Sequence, residues 1–248
     1  MKLCFDQLAI EVTRRCNMHC AHCLRGQAEN KDLSPAYLHQ LLDQTESIGS
    51  LTFTGGEPTL NLPIIEETLR YCKKNKIPVY DFYLVTNGKK ITSRFLTLMI
   101  KWYAYCLECG GDGECSGVAL SKDIYHEPIN PHNETMLRGL GFYHPEDKQN
   151  DYDKYPPLNL GNARYLAQTH EPLRLDEIDT EREGNNIRIT DTTVTLTAEG
   201  DLLADCDYEY SDPYSIWICN VKNATTTFGR MASDPNFDWR NQTRKAII

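Results

Sequence analysis

The sequence predicts an α/β fold, namely a partial (β/α)6-type TIM-like barrel with a C-terminal β-hairpin extension. Short apolar runs alternate with amphipathic helical stretches through the first half of the chain, a pattern typical of parallel strands joined by helices. A full eight-unit barrel takes ~250 residues, and the chain has 248. Four strand–helix units are complete by about residue 140, and the remainder is polar and broken by prolines. We therefore predict five or six parallel strands, with residues 1–140 as the core and residues 141–248 as the rest of the barrel and the extension.

The first half of the chain supplies the first three strands and their helices. Residues 8–13 form an apolar run that predicts a buried first strand. Ser34 and Pro35 predict the cap and first residue of a helix, which apolar residues at helical spacing continue through Ile48 to Gly49. Residues 51–54 and 79–85 predict the second and third strands. The helices that follow these two strands are predicted to open at Pro63 and to span residues 92–102.

The later elements are a divided fourth strand and a hairpin. Residues 103–109 and 118–121 predict two pieces of the fourth strand, separated by a glycine-rich loop at residues 110–115. Residues 192–197 and 202–208 alternate like the two arms of a β-hairpin. We expect this hairpin and the segment 127–160 to cover the open side of the barrel.

Composition and charge exclude several classes of protein. The 26 lysines and arginines against 35 aspartates and glutamates give a net charge of −9, so nucleic acid is disfavoured as a partner. The N-terminus lacks the pattern of a signal peptide, and no apolar stretch approaches the ~20 residues that cross a bilayer. Ten cysteines in such a chain indicate reduced thiols. We therefore expect a cytoplasmic protein that binds no membrane.

Three cysteines form the most informative motif of the sequence. Cys16, Cys20 and Cys23 have Cys-x3-Cys-x2-Cys spacing. Three thiolates on one loop can bind three irons of a [4Fe-4S] cluster and leave the fourth iron open to a small molecule. The alternative is a single zinc ion, for which His19 or His22 could supply the fourth ligand.

Two further motifs follow the cysteines at the ends of predicted strands. The second strand ends in Gly55-Gly56-Glu57-Pro58, and the third ends in Asn87-Gly88. In kind and order, the three motifs resemble those of the radical S-adenosylmethionine (radical SAM) superfamily over roughly residues 5–125. His22 stands where this family usually has an aromatic residue.

The resemblance implies an enzyme that binds S-adenosylmethionine on the open iron of a [4Fe-4S] cluster and cleaves it reductively. The resulting 5′-deoxyadenosyl radical would abstract hydrogen from an unidentified peptide or small metabolite, with a one-electron donor such as flavodoxin or ferredoxin. The implied cofactor contacts are Gly55, Gly56, Glu57, Pro58, Asn87, Ser121 and Asp123. The glycines would let the backbone approach the methionyl group, and Glu57 would accept a hydrogen bond from its ammonium.

Alternatives stay open at this point for both function and residues. The second function class is a non-catalytic module in which the three cysteines hold zinc for structure or partner docking. Asn87, Ser121 and Asp123 could simply form turns and caps. His126, next to the end of the fourth strand, is the best functional candidate among the histidines, and its alternative is a structural imidazole. Tyr125 and residues 205–214 could line the substrate mouth or form a solvated acidic face.

The other cysteines pose a separate question. Cys106, Cys109 and Cys115, with the distant Cys206 and Cys219, could hold an auxiliary Fe-S cluster or a zinc ion. We favour the alternative of core thiols plus one loop thiol. Cys106 and Cys109 fall in one predicted strand and would point to opposite faces.

Overall fold

The computed structural model describes residues 1–145, 156–172 and 178–241 of the chain. These residues form an α/β fold around one sheet of nine strands. The strands are β1 (Leu3–Thr13), β2 (Thr45–Gly55), β3 (Val79–Thr86), β4 (Gly117–Leu120), β5 (Tyr143–His144), β6 (Asp179–Glu183), β7 (Asn186–Leu196), β8 (Asp201–Leu203) and β9 (Trp217–Asn220). The α-helices are α1 (Pro35–Leu42), α2 (Leu62–Asn75), α3 (Ser93–Glu108), α4 (Pro131–Arg138) and α5 (Ala224–Met231).

The sheet is mostly parallel and open. Its strand order is β5-β4-β3-β2-β1-β7-β8-β9, and β6 pairs with the first part of β7. Every pair from β5 to β7 along this order is parallel, which gives six parallel strands. In the described part of the chain, the edge strands β5 and β9 do not pair with each other. The predicted partial barrel is therefore confirmed.

Local capping signals set the helices that cover the sheet. The Ser34 side chain accepts a hydrogen bond from the first turn of α1, and Pro35 occupies the first helical position. Thr92 caps α3 in the same way. On α3, Trp102 is fully buried and its ring lies 5.2 Å from that of Phe53 on β2. This aromatic contact fixes α3 against the sheet.

The second strand begins earlier than predicted. The first helix ends at Leu42, and Ile48 lies in β2 opposite Phe5 of β1. The prediction that Gly49 stops a helix is wrong. A Cβ atom on Gly49 would lie 2.5 Å from the carbonyl oxygen of Asp6, so this glycine allows the two strands to pack closely.

The prediction of a strand at residues 103–109 is also wrong. Helix α3 runs to Glu108, Cys109 is its C-cap, and the fourth strand is confined to Gly117–Leu120. The buried side chains of α3 recur every three or four residues, which is the helical period; they are Phe95, Leu98, Met99, Trp102, Tyr105 and Cys106. Cys106 and Cys109 therefore have helical spacing and do not point to opposite faces of a strand.

The C-terminal hairpin exists, but it does not cover an opening. It consists of β7 and β8, and β7 is the parallel neighbour of β1. The hairpin therefore extends the sheet, and β9 continues it further. In the segment 127–160, residues 146–155 lie outside the described residues, and α4 and β5 occupy part of the rest.

Candidate functional site

The cysteine loop leaves the carboxyl end of β1 and leads to α1. Cys16, Cys20 and Cys23 are half-buried on this loop. The backbone N–H of Cys23 donates to the Cys20 carbonyl, and that of Gly26 donates to the Cys23 carbonyl, both at 3.2 Å. The three thiols line one cavity with residues at the carboxyl ends of β2 and β3, the edge at which loops of such barrels converge.

The Gly-Gly-Glu-Pro turn is bonded to the chain that enters the cysteine loop. The N–H of Gly56 donates to the Thr13 carbonyl, and that of Glu57 to the Arg15 carbonyl, both at 2.8 Å. Gly55 has φ of +136°, and a Cβ atom there would lie 2.1 Å from the Thr13 oxygen. A Cβ atom on Gly56 would lie 2.2 Å from the Arg15 oxygen. Both positions require glycine because of this neighbouring backbone.

Glu57 is buried and joins the ends of β2 and β3. Its Oε1 accepts hydrogen bonds from the N–H and hydroxyl of Thr59, at 3.1 and 2.6 Å, and from the hydroxyl of Thr86, at 2.7 Å. Its Oε2 accepts one from the N–H of Asn87, at 2.8 Å. Burial raises the pKa of Glu57, and these hydrogen bonds oppose the rise. Oε2 accepts a single bond and keeps capacity for another donor.

Asn87 connects the third strand to the cysteine loop. Its Nδ2 lies 3.8 Å from the Cys16 sulfur and donates to the side chain of Asn17 at 2.8 Å. The ammonium of Lys89, two residues further on, donates to the Asn17 carbonyl at 3.2 Å. The end of β3 therefore holds the start of the cysteine loop.

One cavity of about 480 Å³ brings the predicted residues together. This volume lies within the range of small-molecule binding sites. The predicted site residues that line it are Cys16, Cys20, Cys23, Gly55, Gly56, Glu57, Pro58, Asn87 and Ser121. The sequence-based candidate His126 also lines it, as does His22.

Asp123 is the predicted site residue that does not line this cavity. Its side chain is only 3% exposed and lies between two histidines. Oδ2 lies 3.2 Å from Nε2 of His22, and Oδ1 lies 2.8 Å from Nδ1 of His126. The ring of Tyr125 stacks on that of His22, with 5.0 Å between centroids. Asp123 therefore contacts the imidazoles of His22 and His126, which line the cavity, and does not line it itself.

Two of the three loop thiols have raised pKa values. Burial raises the pKa of Cys16, and it raises that of Cys20 to about 12, with the neighbouring thiols adding to the rise. Among the described residues, one group of three His, Cys, Asp or Glu side chains has all its ligand atoms within 4.8 Å, and it does not contain these thiols. Ligands of a single zinc ion lie about 4 Å apart, given Zn–S bonds of ~2.3 Å. The three thiols are therefore spaced more widely than one zinc ion requires.

Several residues that the sequence analysis did not assign to the cofactor site contact the cysteine loop or the cavity. The side chain of Asn162 donates to the Cys20 carbonyl at 3.2 Å, and its N–H donates to that of Cys23 at 2.9 Å. Arg25, Cys206 and Asp207 line the cavity. Residues 205–214 could line the substrate mouth or form a solvated acidic face, and two of them, Cys206 and Asp207, are in this wall. The contact of Asn162 with the cysteine loop could not be predicted, because the two are more than 130 residues apart in the sequence.

The remaining cysteines differ in burial. Cys106 is buried on α3, Cys109 is half-buried at its C-cap, and Cys115 is exposed. Burial raises the pKa of Cys106 to about 12. In the described ranges, none of the cysteines belongs to a group at single-ion spacing. Within the same ranges, no helix combines the length and apolar character needed to span a bilayer.

Comparison with known proteins gives a family match. Residues 10–135, about half of the chain, match the family model described as the Radical SAM superfamily. The chain is 35% identical over 71 residues to the uncharacterised protein MJ0907 of Methanocaldococcus jannaschii, a match covering 27% of this chain and 25% of that protein. It is 38% identical over 93 residues to a GTP 3′,8-cyclase of Clostridium acetobutylicum, covering 34% of this chain and 27% of the cyclase. The chain spans about a quarter of the length of these curated relatives.

A structural comparison supports the fold. A solved structure of histidine-tagged anSMEcpe with bound AdoMet superposes with a TM-score of 0.57 at 12% identity. The superposition covers 93% of this chain and 81% of that chain. At this identity, the likeness shows a shared fold.

Proposed function

Because this chain belongs to the radical SAM superfamily, we propose that it is an enzyme that cleaves S-adenosylmethionine reductively at a [4Fe-4S] cluster. When bound, the cluster and S-adenosylmethionine supply a 5′-deoxyadenosyl radical that abstracts hydrogen from the substrate. One observation carries the proposal: the three loop thiols, the Gly-Gly-Glu-Pro turn and Asn87 all line one cavity.

The ligands proposed for the cluster are Cys16, Cys20 and Cys23. Three thiols whose sulfur atoms are too widely spaced for one ion suit a group in which each sulfur binds a different iron. Cysteine binds iron as a thiolate, so the Cys16 and Cys20 thiols, whose pKa values burial raises, would each release a proton when the cluster binds. This spacing also argues against the alternative of a structural zinc module.

The residues proposed to bind S-adenosylmethionine lie on the turn after β2 and the loops after β3 and β4. Gly55, Gly56 and Pro58 shape the turn, and Ser121 lines the same cavity. Glu57 holds the N–H of Asn87 and retains acceptor capacity on Oε2 for the methionyl ammonium. Asp123 contributes indirectly, by orienting the imidazoles of His22 and His126.

The remaining wall of the cavity is proposed to face the substrate. It includes Arg25, Thr193, Cys206 and Asp207. The Arg25 side chain is almost fully buried; it stacks on Tyr208 and donates to its carbonyl at 2.8 Å. A peptide or a small metabolite with a polar group fits such a wall.

The cellular setting follows from the same reasoning. Ten free cysteines suit a reducing compartment, so we propose a cytoplasmic location. A one-electron donor such as flavodoxin or ferredoxin would reduce the cluster.

Cys106, Cys109 and Cys115 are proposed to be core and loop thiols without an auxiliary metal, since one is buried on α3 and one is exposed.

Reductive cleavage is tested by product analysis. The protein is reconstituted anaerobically with iron and sulfide, mixed with S-adenosylmethionine and dithionite, and assayed for 5′-deoxyadenosine. We expect this product from the wild-type protein and none from a variant with Cys16, Cys20 and Cys23 changed to Ala. A colourless protein that holds zinc and yields no product would favour the structural module instead.

A further inference from the structure

A cluster of three side chains lies beside the loop thiols and contains none of them. It comprises His22 on the cysteine loop, together with Asp123 and His126 on the loop after β4. One ligand atom from each lies within 4.8 Å of the other two. Their side chains are 18%, 3% and 11% exposed, respectively. This is the spacing of ligands that share one ion.

We propose that His22, Asp123 and His126 form a binding site for a divalent transition-metal ion of the Zn²⁺ or Fe²⁺ class. Two imidazoles and one carboxylate are a donor set that these ions accept readily. The set contains no sulfur, so the site is chemically distinct from that of the thiols.

The state of the His126 ring supports a metal site over a simple pair of His–Asp contacts. Its Nδ1 is buried and faces Oδ1 of Asp123 at 2.8 Å, without the alignment of a hydrogen bond. A buried ring nitrogen without a hydrogen bond is uncommon in folded proteins. An ion bound by both the carboxylate and the ring would accept the lone pair of this nitrogen.

The surroundings hold the three ligands in place. The N–H of Tyr125 donates to Oδ1 of Asp123 at 2.8 Å, and the N–H of His126 donates to the Asp123 carbonyl at 3.3 Å. The Tyr125 ring stacks on His22. Orienting contacts of this kind are typical of the groups around metal ligands.

The position of the site indicates what the ion does. His22 and His126 both line the 480 Å³ cavity, so an ion with three protein ligands keeps a coordination position open towards it. The ion ties the cysteine loop to the loop after β4 and can bind an oxygen or nitrogen atom of a molecule in the cavity. These properties do not depend on reductive cleavage.

The test counts zinc and iron in the full-length reconstituted protein. After equilibrium dialysis against micromolar Zn²⁺ under anaerobic conditions, we expect one zinc per chain in addition to the cluster iron. His126→Ala and Asp123→Asn should each weaken zinc binding by more than about 10-fold while keeping the iron. His132→Ala, which removes an exposed histidine of α4, should keep both metals.

Ligand type distinguishes this site from adventitious zinc on thiols. Zinc X-ray absorption should show nitrogen and oxygen neighbours without sulfur, and a variant with all three loop cysteines changed to Ala should still bind zinc. Sulfur ligation, or equal zinc binding by wild-type protein and His126→Ala, would overturn the proposal. Wild-type protein that binds no zinc would also overturn it. Failure to produce 5′-deoxyadenosine would leave the zinc count unchanged, so the two proposals fail separately.

Discussion

Gly56 has no room for a side chain. A Cβ atom there would lie 2.2 Å from the carbonyl oxygen of Arg15 and 2.7 Å from its carbon, both backbone atoms of the chain entering the cysteine loop. We predict that Gly56→Ala displaces this chain, destabilises the fold by ~1–3 kcal/mol as overpacking does, and lowers iron uptake. Gly141→Ala is the matched control, because no atom lies within 4 Å of its added Cβ. Thermal unfolding and iron content give the comparison, and equal values for both variants would contradict it.

Glu57 gives a second prediction at the scale of one residue. Glu57→Gln keeps the size of the side chain but replaces one carboxylate oxygen with an amide nitrogen, which cannot accept the hydrogen bonds seen here. Hydrogen bonds to charged groups contribute ~1.5–3 kcal/mol, so we expect S-adenosylmethionine to bind about 10- to 100-fold more weakly, with iron retained. Glu108→Gln, on an exposed side chain of α3, is the control. Unchanged affinity in the iron-replete Glu57 variant would refute the assigned role.

The place of the candidate site's motifs in the fold could be predicted, because these motifs are short and local. The cysteines and the Gly-Gly-Glu-Pro turn were expected near each other, since the ends of neighbouring parallel strands share one edge. The contacts that explain these motifs could not be predicted from the sequence. Gly55 and Gly56 are shaped by contacts with residues about 40 positions earlier in the chain, and the burial of Asp123 depends on His22, about 100 positions away.

At the scale of elements, the 3₁₀ turn Gly161–Tyr165 is packed on the cysteine loop. Gly161 has φ of +52°, and a Cβ atom there would lie 2.5 Å from the Cys23 carbonyl oxygen. Its N–H donates to Glu209 at 2.8 Å. The turn is therefore held between the cysteine loop and the segment after β8.

We predict that this turn protects the cluster. Asn162→Ala removes the side-chain bond to the Cys20 carbonyl and should loosen the loop, so that the cluster bleaches faster in air, while the anaerobic iron content stays the same. Asn159→Ala, which loses a bond to Glu171 on the exposed surface, should bleach at the wild-type rate. Equal bleaching rates for the two variants would show that the turn does not stabilise the loop.

The elements also show where local patterns mislead. Thr92 and Pro63 marked helix starts correctly, because caps act within a few residues. The end of α3 was misjudged: Tyr103, Tyr105 and Cys106 favour strands by composition, although the helical period of its buried residues continues through Cys106. The spacing of the buried residues was the better predictor here, because packing against the sheet decides whether this segment forms a helix or a strand.

At the scale of the whole molecule, the number of parallel strands could be predicted and their order could not. Length and the loss of periodic pattern led to five or six strands, and six are parallel in the described residues. The pairing of β7 with β1 joins residues more than 180 positions apart, such as Leu3 and Ile187. No local pattern encodes such a pairing, so the hairpin was expected over the opening.

The central claim concerns the whole site, namely that Cys16, Cys20 and Cys23 hold a [4Fe-4S] cluster whose open iron binds S-adenosylmethionine in this cavity. The most direct measurement is the electron paramagnetic resonance spectrum of the reduced, reconstituted protein with and without S-adenosylmethionine. We predict a signal of a reduced [4Fe-4S] cluster that changes when S-adenosylmethionine is added, because its methionyl amine and carboxylate would bind the open iron. The variant lacking the three cysteines should give no such signal. An iron-replete wild-type protein whose spectrum is unaltered by saturating S-adenosylmethionine would contradict the account.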